Sequence, residues 1–97
     1  MTYQAVWHDT VLAETDDVVT VEGNLYFPVS ALKREYLSES DTTSVCPWKG
    51  TASYYSVTVD GNTNTDAIWY YPTPKEGAEQ VQDRAAFWNG IEVQQAG

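Results

Sequence analysis

Apolar and polar residues alternate with period two along much of this chain, in short runs broken by turn formers. Tyr3, Ala5 and Trp7 alternate with Gln4, Val6 and His8, and after Asp9-Thr10 an extended pattern resumes over Val11-Leu12-Ala13-Glu14. Two such runs with a short polar break predict a hairpin. Asp16-Asp17 supplies the next turn. Val18 to Glu22 reads as a third strand, rich in β-branched residues. Gly23-Asn24, both tolerant of positive φ, reverse the chain into Leu25-Tyr26-Phe27, which Pro28 ends.

The spacing changes over Val29 to Leu37. Val29, Leu32, Tyr36 and Leu37 fall on one helical face with Lys33, Arg34 and Glu35 outside, which predicts a short helix with Ser30 as a candidate N-cap. Ser38 to Ser44 is polar and reads as a loop or an irregular edge strand. Ala52 to Asp60 carries the clearest strand pattern, with Tyr55, Val57 and Val59 on one face and Tyr54, Ser56 and Thr58 on the other. Asp60-Gly61 predicts a hairpin whose loop extends toward Thr65, and Ala67 to Tyr71 returns as the partner. Pro72 and Pro74 end that strand by removing backbone donors. Glu76 to Gln82 is a candidate second short helix. Ala85–Trp88 and Ile91–Val93 read as two last strands around Asn89-Gly90, with 94–97 expected to fray.

These elements predict a mainly β protein: one compact domain over residues 1–97, a curved antiparallel sheet with one or two short helices. A curved sheet of this size leaves a concave face, where a ligand would sit.

Composition narrows the partners. Fourteen acids against five bases give a net charge of −9, so nucleic acid is a poor partner, because phosphate binding needs clustered Lys and Arg. An anionic membrane surface is disfavoured for the same reason. No apolar run approaches the roughly 18 residues of a membrane helix, and no basic-then-apolar leader opens the chain. A single cysteine excludes an internal disulfide. The expected home is the reducing cytoplasm.

Chemistry concentrates in Cys46-Pro47-Trp48-Lys49-Gly50. A cysteine thiolate is the reactive form, and a neighbouring ammonium favours it, so Cys46 is a candidate nucleophile with Lys49 as its electrostatic partner. Lone cysteines also simply pack, and Cys46 can equally line a pocket. Pro47 and Gly50 stiffen the loop and let backbone approach a ligand. Lys49-Gly50-Thr51 departs from the phosphate-loop order, since a strand follows it, which leaves Lys49 as an anion contact or as a side chain lying over Trp48 or Tyr54. Glu22, beside Gly23-Asn24, can form a polar cluster with Tyr54 or Lys49, as a base or an orienting acceptor. His8 lacks an evident partner, and Ser30-Ala31-Leu32-Lys33 matches the Ser-x-x-Lys string of penicillin-binding enzymes without their other motifs. The aromatics exceed what one face can bury, so Tyr26, Trp48, Tyr54 and Trp69 are left as candidate walls for a planar ligand.

Four segments in order resemble the family named domain of unknown function 427, also labelled nucleotidyltransferase-like. They are Ala5-Val6-Trp7 with Val11-Leu12-Ala13-Glu14; Val21-Glu22-Gly23-Asn24-Leu25-Tyr26-Phe27-Pro28; Cys46 through Tyr55; and Ala67-Ile68-Trp69-Tyr70-Tyr71-Pro72 with Pro74-Lys75, leading to Ala86-Phe87-Trp88. The resemblance implies a compact, curved, mostly antiparallel fold similar to the β-tent folds, and relatives with two tandem copies imply that a single copy can pair with itself. His8-Asp9-Thr10 departs from the polar-then-Gly turn expected of the family. The transferase label requires paired aspartates on rigid strands, beside a Gly-Ser turn, to hold two magnesium ions. Asp16-Asp17, Asp60 and Asp66 are expected in turns instead. One Cys and one His cannot build the four-cysteine zinc site of β-tent proteins.

The candidate catalytic residues are therefore Cys46 and Glu22, and the candidate ligand contacts are Lys49, Trp48, Gly50, Tyr54, Trp69 and Tyr26. No metal and no cofactor is implied. The expected partner is a small molecule, anionic or planar; the alternative is a non-catalytic module that forms a homodimer through exposed aromatics.

Overall fold

In the computed structural model, which describes residues 1–96, nine strands make two antiparallel sheets. The smaller holds β1 (Thr2–Trp7), β2 (Thr10–Thr15) and β9 (Glu92–Ala96) in the order β2-β1-β9. The larger holds β3 (Val19–Val21), β4 (Asn24–Pro28), β5 (Leu37–Cys46), β6 (Gly50–Val59), β7 (Asn62–Tyr70) and β8 (Arg84–Phe87) in the order β3-β4-β8-β7-β6-β5. The mainly β expectation holds, with two sheets in place of one.

Three hairpins share one device. His8-Asp9, Glu22-Gly23 and Asp60-Gly61 each join paired strands as two-residue loops with both φ values positive, between 50° and 82°. That is the type I′ signature, whose twist matches that of the flanking strands. The first is built without glycine. The second turn falls one residue earlier than Gly23-Asn24, which makes Glu22 a turn residue. The third closes at Asn62 and does not extend to Thr65. Asn89-Gly90 closes no hairpin: it carries the chain from β8 in the large sheet to β9 in the small one. Asn64 pins this corner, donating to the Asn89 carbonyl at 2.8 Å and accepting from Asn89 Nδ2 at 2.9 Å.

The two expected helices are replaced by single 3-10 turns at Val29–Ala31, Arg34–Tyr36 and Glu79–Val81. A helix of eight or nine residues has little stability of its own, and here the backbone has better partners. The Lys33 amide donates to the Leu12 carbonyl at 2.8 Å, and Leu32 bridges Ala13, so the segment is tied to the small sheet. The polar stretch 38–44 lies within the edge strand β5, whose register with β6 shifts between Glu39 and Thr43. The C-terminal residues expected to fray pair with β1 as far as Ala96; Gly97 lies outside the described residues.

One face of the large sheet packs on the small sheet. Ala5, Leu12 and Ala13 meet Phe27, Tyr55, Val57, Ile68, Ala85 and Phe87, with the Phe27 and Phe87 rings edge-to-face at 5.1 Å. On the opposite face, Ala78 and Val81 cover Val21, Tyr26, Ala52, Tyr71 and Ala86. This cover is short, and beyond it the outer face is open. Among the described residues, no helix is long and apolar enough to cross a membrane.

Candidate functional site

The open part of the outer face is organised by the turn between β5 and β6. Cys46 pairs with Gly50, which closes a loop of Pro47, Trp48 and Lys49. The segment after β7 holds that loop down: the Lys75 amide donates to the Lys49 carbonyl at 2.9 Å and Lys75 Nζ to the Pro47 carbonyl at 3.0 Å. Gly50 has φ +118°, and a Cβ there would stand 3.3 Å from the Thr73 carbonyl oxygen, so the close approach of these two segments requires glycine.

Lys49 is thereby turned inward. It is 6% exposed and is the only charged side chain among the buried described residues. Its ammonium donates to Glu22 Oε1, while Trp48 Nε1 lies 3.4 Å from Glu22 Oε2. The cation also sits 5.3 Å from the Trp48 ring centroid and 5.6 Å from that of Tyr71, within cation–π range. The β3–β4 turn delivers Glu22: its left-handed backbone, φ 53°, projects the carboxylate over Lys49 with the glutamate side chain 53% exposed.

Around this ion pair stand the rings that period-two alternation places on one face. Tyr54 comes from β6, Trp69 from β7, Tyr71 from just beyond β7 and Trp88 from just beyond β8. Trp69 is braced from beneath: its Nε1 donates to the Tyr26 hydroxyl at 3.1 Å, and the two rings are edge-to-face at 6.2 Å. Trp88 crosses Trp69 at 6.5 Å and 81°, with its Nε1 donating to the Asp66 carbonyl at 2.6 Å. The Tyr54 hydroxyl shares a 2.8 Å hydrogen bond with Ser44 Oγ. Lys49, Tyr54, Trp69, Tyr71 and Trp88 line a pocket of about 240 Å³.

The charges are stable in this setting. The Lys49 hydrogen bond, aided by its charge and by Trp48, holds the Glu22 carboxyl below its ordinary value against partial desolvation. Burial works against the Lys49 ammonium, but the Glu22 hydrogen bond and the nearby Tyr26, Tyr71 and Cys46 outweigh it and raise the lysine above its ordinary value. Burial also pushes the Tyr71 hydroxyl up, with Lys49 opposing. Lys49 is thus held as a cation and is a poor amine nucleophile, since Schiff-base chemistry needs the neutral form.

The structure brings Glu22, Trp48, Lys49, Tyr54 and Trp69 together. Tyr26 belongs to the same cluster but is fully buried, as a support for Trp69. Cys46 is half-buried at the end of β5, packs against the outer-face cluster and is not among the pocket-lining residues. Gly50 faces a neighbouring cleft with Thr51, Ser53, Pro72, Thr73 and Lys75. Sequence reasoning passed over Tyr71 and Trp88 as wall residues. Tyr71 was accessible to it, two positions from Trp69 and hence on the same face. Trp88 lies two positions from Ala86, but only the pairing of Ala86 with Trp69 shows that this is the same face of the sheet. Among the described residues no three His, Cys, Asp or Glu side chains converge on a point that could hold a metal ion.

A family model described as Domain of unknown function (DUF427) matches residues 2–96. No curated protein matches the chain.

Proposed function

We propose, for a chain that belongs to the DUF427 family, that its function is to bind a small planar molecule in the aromatic pocket on the outer face of the large sheet. The observation that carries this reading is Lys49, a buried and charged side chain lining a pocket whose other walls are four aromatic rings. Apolar walls with one fixed polar group are the usual make-up of a small-molecule site: the rings supply contact area and the cation fixes orientation. At about 240 Å³ the pocket suits a small ring system or one end of a longer ligand.

Binding fits this geometry better than turnover. Glu22 is paired with Lys49 and, like Cys46, is not among the pocket-lining residues. The single cysteine, which can form no disulfide within the chain, favours a reducing, cytoplasmic setting. The alternative reading, self-association through exposed aromatics, draws on Trp48 and Trp88, which are 39% and 51% exposed. Trp88 lines the pocket, so a second copy seated on it would compete with ligand.

A thermal-shift screen of planar compounds against wild type and Lys49→Met tests the proposal. A true ligand at 100 times its Kd raises wild-type stability by about 2.7 kcal/mol, and the variant loses most of that gain. If no planar compound stabilises the wild type while sedimentation shows a concentration-dependent dimer, the self-association reading replaces it.

A further inference from the structure

The Glu22 carboxylate occupies the ammonium that an anionic ligand in the pocket would need. It reaches Lys49 from an exposed turn on a different sheet edge, and its second oxygen engages the Trp48 indole N–H. Lys49 is the only cation among the pocket-lining residues. An ammonium offers three donors, and among the described residues Glu22 is the one hydrogen-bond acceptor that Lys49 has. A single ammonium matches one negative charge. A phosphate dianion asks for more donors than one lysine offers, and the net charge of −9 adds a penalty that grows with ligand charge.

Resting on the pocket reading above, we propose that the ligand is an aromatic carboxylate, and that Glu22 acts as an internal stand-in for it, holding Lys49 in the empty site and giving way when the ligand carboxylate takes its place. The ligand ring lies against Trp69, Tyr71 and Trp88, and its carboxylate meets Lys49 Nζ. Freed from Lys49, Glu22 swings into water, which its half-exposed position permits. The exchange replaces one carboxylate by another on the same ammonium. The electrostatic gain nearly cancels, and ring burial decides the affinity. A neutral analogue of the same shape offers Lys49 only an uncharged amide oxygen, which does not displace Glu22. With Glu22 in place its ring does not seat fully, so it binds more weakly. Glu22 therefore sets a threshold: carboxylates without a ring do not displace it.

The test is a titration of ¹⁵N-labelled protein with 2-naphthoate, its neutral analogue 2-naphthamide, and acetate, following the indole N–H signals of Trp48, Trp69 and Trp88. The proposal expects naphthoate to move all three signals, with Trp48 reporting the departure of Glu22. It expects naphthamide to bind more weakly and leave Trp48 unmoved, and acetate to do nothing. Glu22→Gln removes the competing charge and should tighten naphthoate about fivefold while leaving naphthamide unchanged; Glu22→Asn, suited to the left-handed backbone, serves as a second variant. Equal binding of both naphthyl probes, with no gain in either variant, overturns the carboxylate exchange and leaves the pocket reading standing. If neither naphthyl probe moves Trp69 or Trp88 in any of the three proteins, the pocket reading falls, and this inference with it.

Discussion

At the scale of single residues, the Glu22–Lys49 pair concentrates the electrostatics of the site. Glu22 has its carboxyl lowered in the folded protein, so its contribution is present above its ordinary value of 4.5 and is lost as pH falls through the lowered one. Lys49 is raised, so its contribution is complete below its ordinary value of 10.5 and is lost as pH rises through the raised one. The pair is therefore intact across the whole neutral range. Following the Glu22 side-chain carboxyl carbon by NMR during acid titration should give a midpoint below 4.5 in the wild type, and Lys49→Met should return it toward the ordinary value. A wild-type midpoint at or above the ordinary value would show that the ion pair does not persist in solution.

At the scale of elements, turn chemistry decides more than strand propensity. Glu22-Gly23 and Asp60-Gly61 meet the type I′ turn with glycine at the second position; His8-Asp9 meets it with two side chains at φ 50° and 57°. Left-handed backbone is costly for residues other than Gly, and less so for Asn and Asp. Replacing His8-Asp9 with Asn-Gly should therefore stabilise the protein by about 1 kcal/mol and raise Tm by about 4–8 °C. Calorimetry would read this directly, and an unchanged or lowered Tm would mean that the Trp7–His8 ring contact, at 4.2 Å, offsets the backbone cost. The edge strand β5 shows the same logic in reverse. Its polar sequence and its register shift between Glu39 and Thr43 keep an unpaired edge from recruiting another strand.

At the scale of the whole molecule, the two sheets depend on one another. Leu12 is fully buried where the small sheet meets the large one, beside Ala13, Phe27 and Leu32. Leu12→Ala should cost about 2–5 kcal/mol. Because the core is shared, far-UV circular dichroism and tryptophan fluorescence should still report one coincident denaturant transition. Two separated transitions would mean that the small sheet is an independent unit. The segment 72–83 matters for a different reason: by covering only part of the outer face with Ala78 and Val81, it leaves the aromatic wall open as a site.

Alternation by itself determined the mainly β class, most of the strands and the existence of a surplus of rings, because side-chain period is a local property of extended backbone. The Cys46–Gly50 loop also stood out, and Lys49, Trp48, Glu22, Tyr54 and Trp69 do meet around it. Only the tertiary structure decided how the strands divide between two sheets, since Asn89-Gly90 reads as a hairpin turn whether or not the strands it joins pair. It alone decided that 29–37 is not a helix, because the amide of Lys33 bonds to Leu12, 21 positions back in the chain. And it alone decided that Lys49 is buried rather than lying on the surface: that burial is set by the Thr73–Lys75 segment folding against Gly50, a contact between residues distant in sequence that no local pattern encodes.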